Sequence, residues 1–217
     1  MSEKVRITAE MVKQLRERTG AGVMDCKRAL QETGAELSKA MDWLREHGAA
    51  RAERRSSRAT AEGTIGCYVH AGGKIGVLVE VNCETDFVAR TPDFQDFAHQ
   101  VSMQVAAQHA QYLRREDVPQ AVLEKEKAIY RAQVEQEKKP EHVVERIVQG
   151  KLDRFFQDMC LLEQPFIRDP EKTVEQLMKE TAAKVGENIR IGRFMRFQVG
   201  EPTGETECGG SGGAAEV

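Results

Sequence analysis

The feature that most constrains this chain is a run of alternating apolar residues that breaks off into a polar turn. Ile75, Val77, Val79 and Val81 share one parity, the pattern of a strand with one buried face. The segment Asn82-Cys83-Glu84-Thr85-Asp86-Phe87-Val88-Ala89-Arg90 follows, before the helix-start signal Thr91-Pro92-Asp93. Phe87 is a bulky apolar side chain in this polar setting. Two readings follow from the residues alone. Phe87 tucks under its own turn, or it projects as an aromatic anchor for a partner, with Asp86 beside it to act on a charge.

Two further strands complete a small sheet. Ile65, Cys67 and Val69 alternate with Gly66, Tyr68 and His70 over 64–70, and Ala71-Gly72-Gly73-Lys74 supplies the turn back to the strand over 75–82. A last strand over 188–199 places Ile189, Ile191, Met195, Phe197 and Val199 on one face, interrupted by Arg193. Helices lie before, between and after. Thr8 caps the first, with Val12 and Leu15 as its apolar positions, and Thr19-Gly20-Ala21-Gly22 stops it. The second carries Val23, Cys26 and Leu30, with Gly34 at its C-terminal cap. The third carries Leu37, Ala40, Met41 and Leu44, with Trp43 as a packing residue, and meets Gly48. After the Asp86-Phe87 turn, Thr91 caps a helix whose buried stripe is Phe94, Phe97, Ala98, Val101 and Val105. A helical hairpin spans 120–160. Lys138-Lys139-Pro140 breaks it, and Val144, Val148, Leu152, Phe155 and Met159 form a near-heptad seam. Pro165 and Pro170 flank a loop, and Val174, Leu177 and Met178 mark a short helix.

The order of elements is that of an α+β fold with a small antiparallel sheet flanked by helices. It divides into a three-helix module over 1–48, a basic linker over 49–62, a core domain over 63–200 and a disordered tail over 201–217. The linker is free to be helical. Its Arg51, Arg54, Arg55 and Arg58 outnumber Glu53, which suits either a solvated helix face, the favoured reading, or contact with an acidic surface or RNA.

Composition excludes several classes. A net charge of -3 over 217 residues, with pI near 6.0, argues against bulk nucleic-acid binding. No apolar run approaches the roughly 20 residues of a membrane span. The segment Met1–Arg6 lacks the apolar core of a signal peptide. The odd, scattered set Cys26, Cys67, Cys83, Cys160 and Cys208 offers no disulfide framework and suits a reducing, cytoplasmic setting. Cys67, His70 and Cys83 are candidate zinc ligands, but residues three apart on a strand face opposite ways, so no metal site is expected. Cys83 as a nucleophile is a further minor reading. Gly72-Gly73-Lys74 is no phosphate loop, because Ile75 stands where a Ser or Thr would hold magnesium. No cofactor and no catalytic residue is expected, so a binding protein is favoured over an enzyme.

Specific motifs then point to a family. The stretch Arg16-Glu17-Arg18-Thr19-Gly20-Ala21-Gly22-Val23-Met24-Asp25-Cys26-Lys27-Arg28-Ala29-Leu30 resembles the N-terminal signature of the bacterial elongation factor Ts family. Gly76–Ala89 resembles its second signature, and Gln164-Pro165-Phe166 and Lys184–Ile189 resemble further segments in the expected order. The likeness covers nearly all of 5–200 and is to the short form, with one core subdomain where long forms have two. It implies guanine-nucleotide exchange on elongation factor Tu, in its GDP-bound and nucleotide-free states, by displacement of the GTPase's magnesium. It implies that the N-terminal module has a ubiquitin-associated-like fold and docks through Arg18, Thr19, Gly20, Ala21, Gly22 and Val23, with Lys27 nearby. It implies that Thr85, Asp86, Phe87 and Val88 form the magnesium-displacing segment, which favours the projecting reading of Phe87. His70 matches a histidine of the family's hairpin and is either a partner contact or a polar residue of the sheet face. Gln104 stands where many relatives have a histidine, which puts that histidine's contact in doubt. The small sheet leaves a face or edge needing cover, and a two-fold homodimer is expected. Neither direct nucleic-acid binding nor membrane association is expected. The alternative from another class is an RNA-associated helical protein using Arg51–Arg58.

Overall fold

Thr8 starts the first helix by satisfying an amide that the helix itself leaves unpaired. In the computed structural model, which describes residues 7–55, 57–135 and 140–201, its hydroxyl accepts a hydrogen bond from the Met11 amide and α1 runs Ala9–Thr19. Gly20 ends α1 at φ 68°, a left-handed conformation that costs glycine little. Next come α2 (Val23–Glu32) and α3 (Leu37–Arg55). Val12, Leu15, Cys26, Ala29, Leu30 and Ala40 form their common core, with Trp43 packed against it. Gly34 closes α2 as expected: it follows the C-cap Thr33 at φ 64°, and Ala35, itself at φ 63°, donates its amide to the Leu30 carbonyl at 2.7 Å. One detail departs from expectation. Gly48 does not end α3. A helical glycine costs only about 1 kcal/mol relative to alanine, and Ala49, Ala50, Arg51, Ala52 and Glu53 after it are good helix formers.

The hairpin strands are β1 (Glu62–Val69) and β2 (Ile75–Cys83). A four-residue helix, α4 (Asp86–Ala89), occupies the expected turn, and α5 (Pro92–Gln108) follows. The helical hairpin consists of α6 (Gln120–Glu135) and α7 (Glu141–Met159). Leu152 and Phe156 are buried in its seam, so Phe156 takes the deep position expected of Phe155, which packs beside it. The loop expected between Pro165 and Pro170 is instead an antiparallel pair, β3 (Pro165–Phe166) and β4 (Asp169–Thr173). Such short strands, one of them mostly charged, carry no alternation for sequence reasoning to find. Helix α8 (Val174–Val185) and β5 (Ile189–Gln198) complete the chain as described.

The antiparallel sheet has the order β1-β2-β5, with β2 central. Val77, Val79, Val81 and Cys83 are buried, at 3% exposure or less. Gly66 faces α5 so closely that a Cβ there would lie 2.7 Å from Ser102 Oγ and 2.8 Å from the Ala98 carbonyl oxygen. The expected single face of β5 is corrected. Ile189 and Ile191 are buried, whereas Met195, Phe197 and Val199 are 42%, 60% and 72% exposed. The buried parity changes across Gly192-Arg193, the kind of one-residue slip a bulge introduces. Arg193 pairs outward with Glu80 at 2.8 Å.

Two compact units emerge from the packing. One draws on residues within 1–64, 81–97 and 176–190, the other on residues within 65–80, 98–175 and 191–217. In the second, a buried amide network ties α5 to β3. Gln104 Nε2 donates to Gln164 Oε1 and to the Pro165 carbonyl, and Gln104 Oε1 accepts from the Ile167 amide. Of the tail over 201–217, expected to be disordered, Glu201 pairs with Arg196 at 2.7 Å, and residues 202–217 lie outside the described residues.

Candidate partner-binding site

The end of β2 feeds directly into the site. Thr85 caps α4, its hydroxyl accepting from the Val88 amide at 3.4 Å. One helical turn then sorts the side chains. Val88 and Ala89 go inward, at 9% and 6% exposure, and Phe87 points out at 82%, the most exposed of the large apolar side chains described. The side chain of Phe87 therefore does not tuck under its own turn. A helix cannot bury 87, 88 and 89 together against one surface, because successive residues are about 100° apart. Val88, expected to belong to the partner-facing segment, is part of the protein's own interior. Asp86 accepts from Arg90 Nη2 at 2.9 Å, an exposed i,i+4 pair worth ~0–1 kcal/mol. The exit of the turn is also held, for Thr91 Oγ1 donates to the Val88 carbonyl and Gln95 Nε2 to the Ala89 carbonyl.

Glu187, just beyond α8, secures the entrance. One of its carboxylate oxygens accepts from the amides of Glu84 and Thr85, at 3.1 and 3.0 Å, and the other from Thr85 Oγ1 at 2.7 Å. Glu84 reciprocates by accepting from the Asn188 amide at 2.7 Å, and it pairs with Arg58 at 3.2 Å. Sequence reasoning did not single out Glu187, Glu84 or Arg58 here. Their pairing spans 26 to 104 positions, and no local pattern announces it.

The same compact unit carries the second expected surface. Arg18, Gly22, Val23 and Lys27 are exposed, and Thr19, Gly20 and Ala21 are half-buried. Thr19 Oγ1 donates to the Leu15 carbonyl and accepts from the Ala21 amide, which makes the α1–α2 turn rigid. Gly20 lies against Lys184, where a Cβ would meet Lys184 Cε at 2.8 Å, and Lys184 Nζ in turn pairs with Asp93 at 2.5 Å. Met24, 73% exposed beside Val23, belongs to this surface and was missed. Its only signal is that it falls outside the Val23, Cys26, Leu30 stripe.

The remaining candidates separate. His70 is exposed, and its Nδ1 lies 3.1 Å from the Tyr68 hydroxyl. Gln104 is fully buried, so it presents nothing to a partner. Cys83 is buried and its thiol donates to the Thr85 carbonyl at 3.1 Å. Burial first, and the Glu187 charge second, push that thiol above its ordinary range. A protonated thiol is a poor nucleophile. No group of three metal-binding side chains converges among the described residues, and no helix there is long and apolar enough to cross a membrane.

Comparison with known proteins agrees with the motifs. The family profile described as "Elongation factor TS" matches residues 7–201. Elongation factor Ts of Carboxydothermus hydrogenoformans is 55% identical over 201 residues, covering 93% of each chain. That of Thermoanaerobacter sp. strain X514 is 57% identical over 195 residues, covering 90% of this chain and 96% of the relative. That of Geobacter sulfurreducens is 52% identical over 211 residues, covering 97% and 96%. With a match of this extent on an α+β scaffold, the chain belongs to the elongation factor Ts family of translation elongation factors.

Proposed function

We propose that the chain is a guanine-nucleotide exchange factor for elongation factor Tu, a binding protein that works in the cytoplasm and makes or breaks no covalent bond. The observation that carries this reading is Phe87, 82% exposed on a turn whose next two residues are buried. A fold gains nothing from such a side chain, whereas a groove on a partner gains ~1.5–3 kcal/mol by burying it. Exchange needs the factor to bind the nucleotide-free GTPase better than the GDP-bound one, and a coupling of ~4 kcal/mol weakens GDP about a thousandfold. If the groove opens only as the elements holding magnesium and phosphate move, burial of Phe87 acts against the GDP state alone. Asp86 competes for donors that orient those elements. Thr85 and Val88 serve by holding the turn.

The module over 1–48 docks on the nucleotide domain through Arg18, Thr19, Gly20, Ala21, Gly22, Val23 and Lys27, and Met24 extends that surface. The core over 63–200 presents the Phe87 turn, with His70 as a further contact. The segment 49–62 connects them. A homodimer in which each chain engages one GTPase completes the reading. The test is stopped-flow release of a fluorescent GDP from elongation factor Tu. Release accelerates when this chain is added, and an unchanged release rate rejects the proposal.

A further inference from the structure

Phe87 is too exposed for packing to set its direction, so its aim depends on the backbone beneath it. From the C-terminal side that backbone is held by its own continuation, through Thr91 and Gln95. From the N-terminal side Glu187, 102 residues later in the chain, holds Thr85 itself. Its carboxylate accepts two backbone amides and the Thr85 hydroxyl. The same hydroxyl accepts the Val88 amide that starts α4. Glu187 therefore acts on the first turn of α4 both directly and through its cap. Gly186, left-handed at φ 82°, turns the chain out of α8 so that Glu187 arrives beside β2's end.

The chemistry of the site asks for a carboxylate. Three donors converge on two oxygens, and an ionised carboxylate is acceptor-only. An amide would set its NH2 group either against the two backbone amides or against the Thr85 hydroxyl. Alanine would leave the amides to water, which holds no fixed direction. We infer that Glu187 is the positioning residue of the Phe87 turn. It touches no partner itself and acts on exchange through Thr85 and Phe87. The inference rests on the exchange reading above.

A double-mutant cycle on GDP release from elongation factor Tu separates positioning from general support of the fold. The full chain is compared with Phe87→Ala, Glu187→Ala, Glu187→Gln and the two double variants, with melting curves for each. Glu187→Ala should lower the saturating release rate about tenfold, and its half-saturating concentration should rise less than about threefold, because the N-terminal surface is untouched. Glu187→Gln should fall between it and the unaltered chain. In the Phe87→Ala background, either change at Glu187 should alter the rate by less than about twofold, since the side chain it aims is gone. Equal losses in both backgrounds, or a loss confined to half-saturation, would overturn the inference while leaving the exchange reading intact. If Glu187→Ala does not fold, the Glu187→Gln cycle measures the same coupling to Phe87 and decides by the same outcomes. Absence of acceleration by the unaltered chain removes the exchange reading and this inference with it.

Discussion

Phe87 is a residue whose cost to the protein is visible and whose return is not. An exposed aromatic side chain adds no stability, so its removal should subtract none. Phe87→Ala should shift unfolding free energy by less than about 0.5 kcal/mol, as for surface positions generally. The same change should slow catalysed GDP release at least about tenfold, the equivalent of the lower part of the ~1.5–3 kcal/mol gained by burying a phenylalanine. Asp86→Ala should slow it less, because Asp86 is already engaged by Arg90. Wild-type exchange by Phe87→Ala would remove the turn from the mechanism. Gly20 makes the opposite kind of prediction. It sits at φ 68° with Lys184 where a Cβ would go. Gly20→Ala should therefore destabilise by about 1 kcal/mol or more, read from denaturant midpoints. It should also weaken docking of the N-terminal surface. Sequence alone could name Phe87 but not aim it, because whether an apolar residue in a polar turn faces in or out depends on what lies beneath. Here Val88 and Ala89 take the inward places.

At the scale of elements, the legible parts were those with a long period or a terminal signal. Thr8 and Thr91 cap where expected, and the stripe Phe94, Phe97, Ala98, Val101, Val105 is buried. Elements whose cues are tertiary were not legible. The parity change in β5 depends on how the strand meets its neighbour, and β3–β4 is too short to show a period. Gln104 is such a case in one side chain. It satisfies Gln164, the Pro165 carbonyl and the Ile167 amide from a fully buried position. Gln104→Ala leaves buried polar groups unpaired and should cost roughly 2–4 kcal/mol of stability, measured by chemical denaturation. Cys160, at the end of α7, predicts a pH effect. Burial is the main cause that pushes its thiol up to about 12 from an ordinary value of 9.0. The folded state therefore keeps a proton that the unfolded state releases. Stability is fully present below about pH 9 and declines as pH rises toward 12. Cys160→Ala should flatten that decline relative to the unaltered chain when denaturant midpoints are followed into the alkaline range. An unchanged slope would assign the effect to other groups, Tyr130 among them, whose hydroxyl is also pushed up to about 12.

At the scale of the whole molecule, the second compact unit leaves a surface unaccounted for. Ile65, Val69, Leu78, Met195, Phe197 and Val199 lie on the sheet face away from the buried Val77 and Val79, and all are at least 42% exposed. Exposed Cys67 lies among them. The helical hairpin does not cover this face, whose side chains stay exposed, and α6 and α7 pack against each other and against Val118 and Cys160. Exposed apolar side chains that share one sheet face suit an interaction surface. A second copy is the simplest occupant. A two-fold axis brings the same patch to itself. A stable pair needs ~1,200–2,000 Å² of total buried surface. Sedimentation at micromolar concentration should then give a species of twice 24.3 kDa. Phe197→Asp places a charge within the patch, and its 60% exposure in the single chain means that folding tolerates it. That variant should sediment as a monomer with an unchanged melting profile per chain at low concentration. A single species at 24.3 kDa with full exchange activity would reject the dimer. A dimer that persists through Phe197→Asp would move the interface to another face.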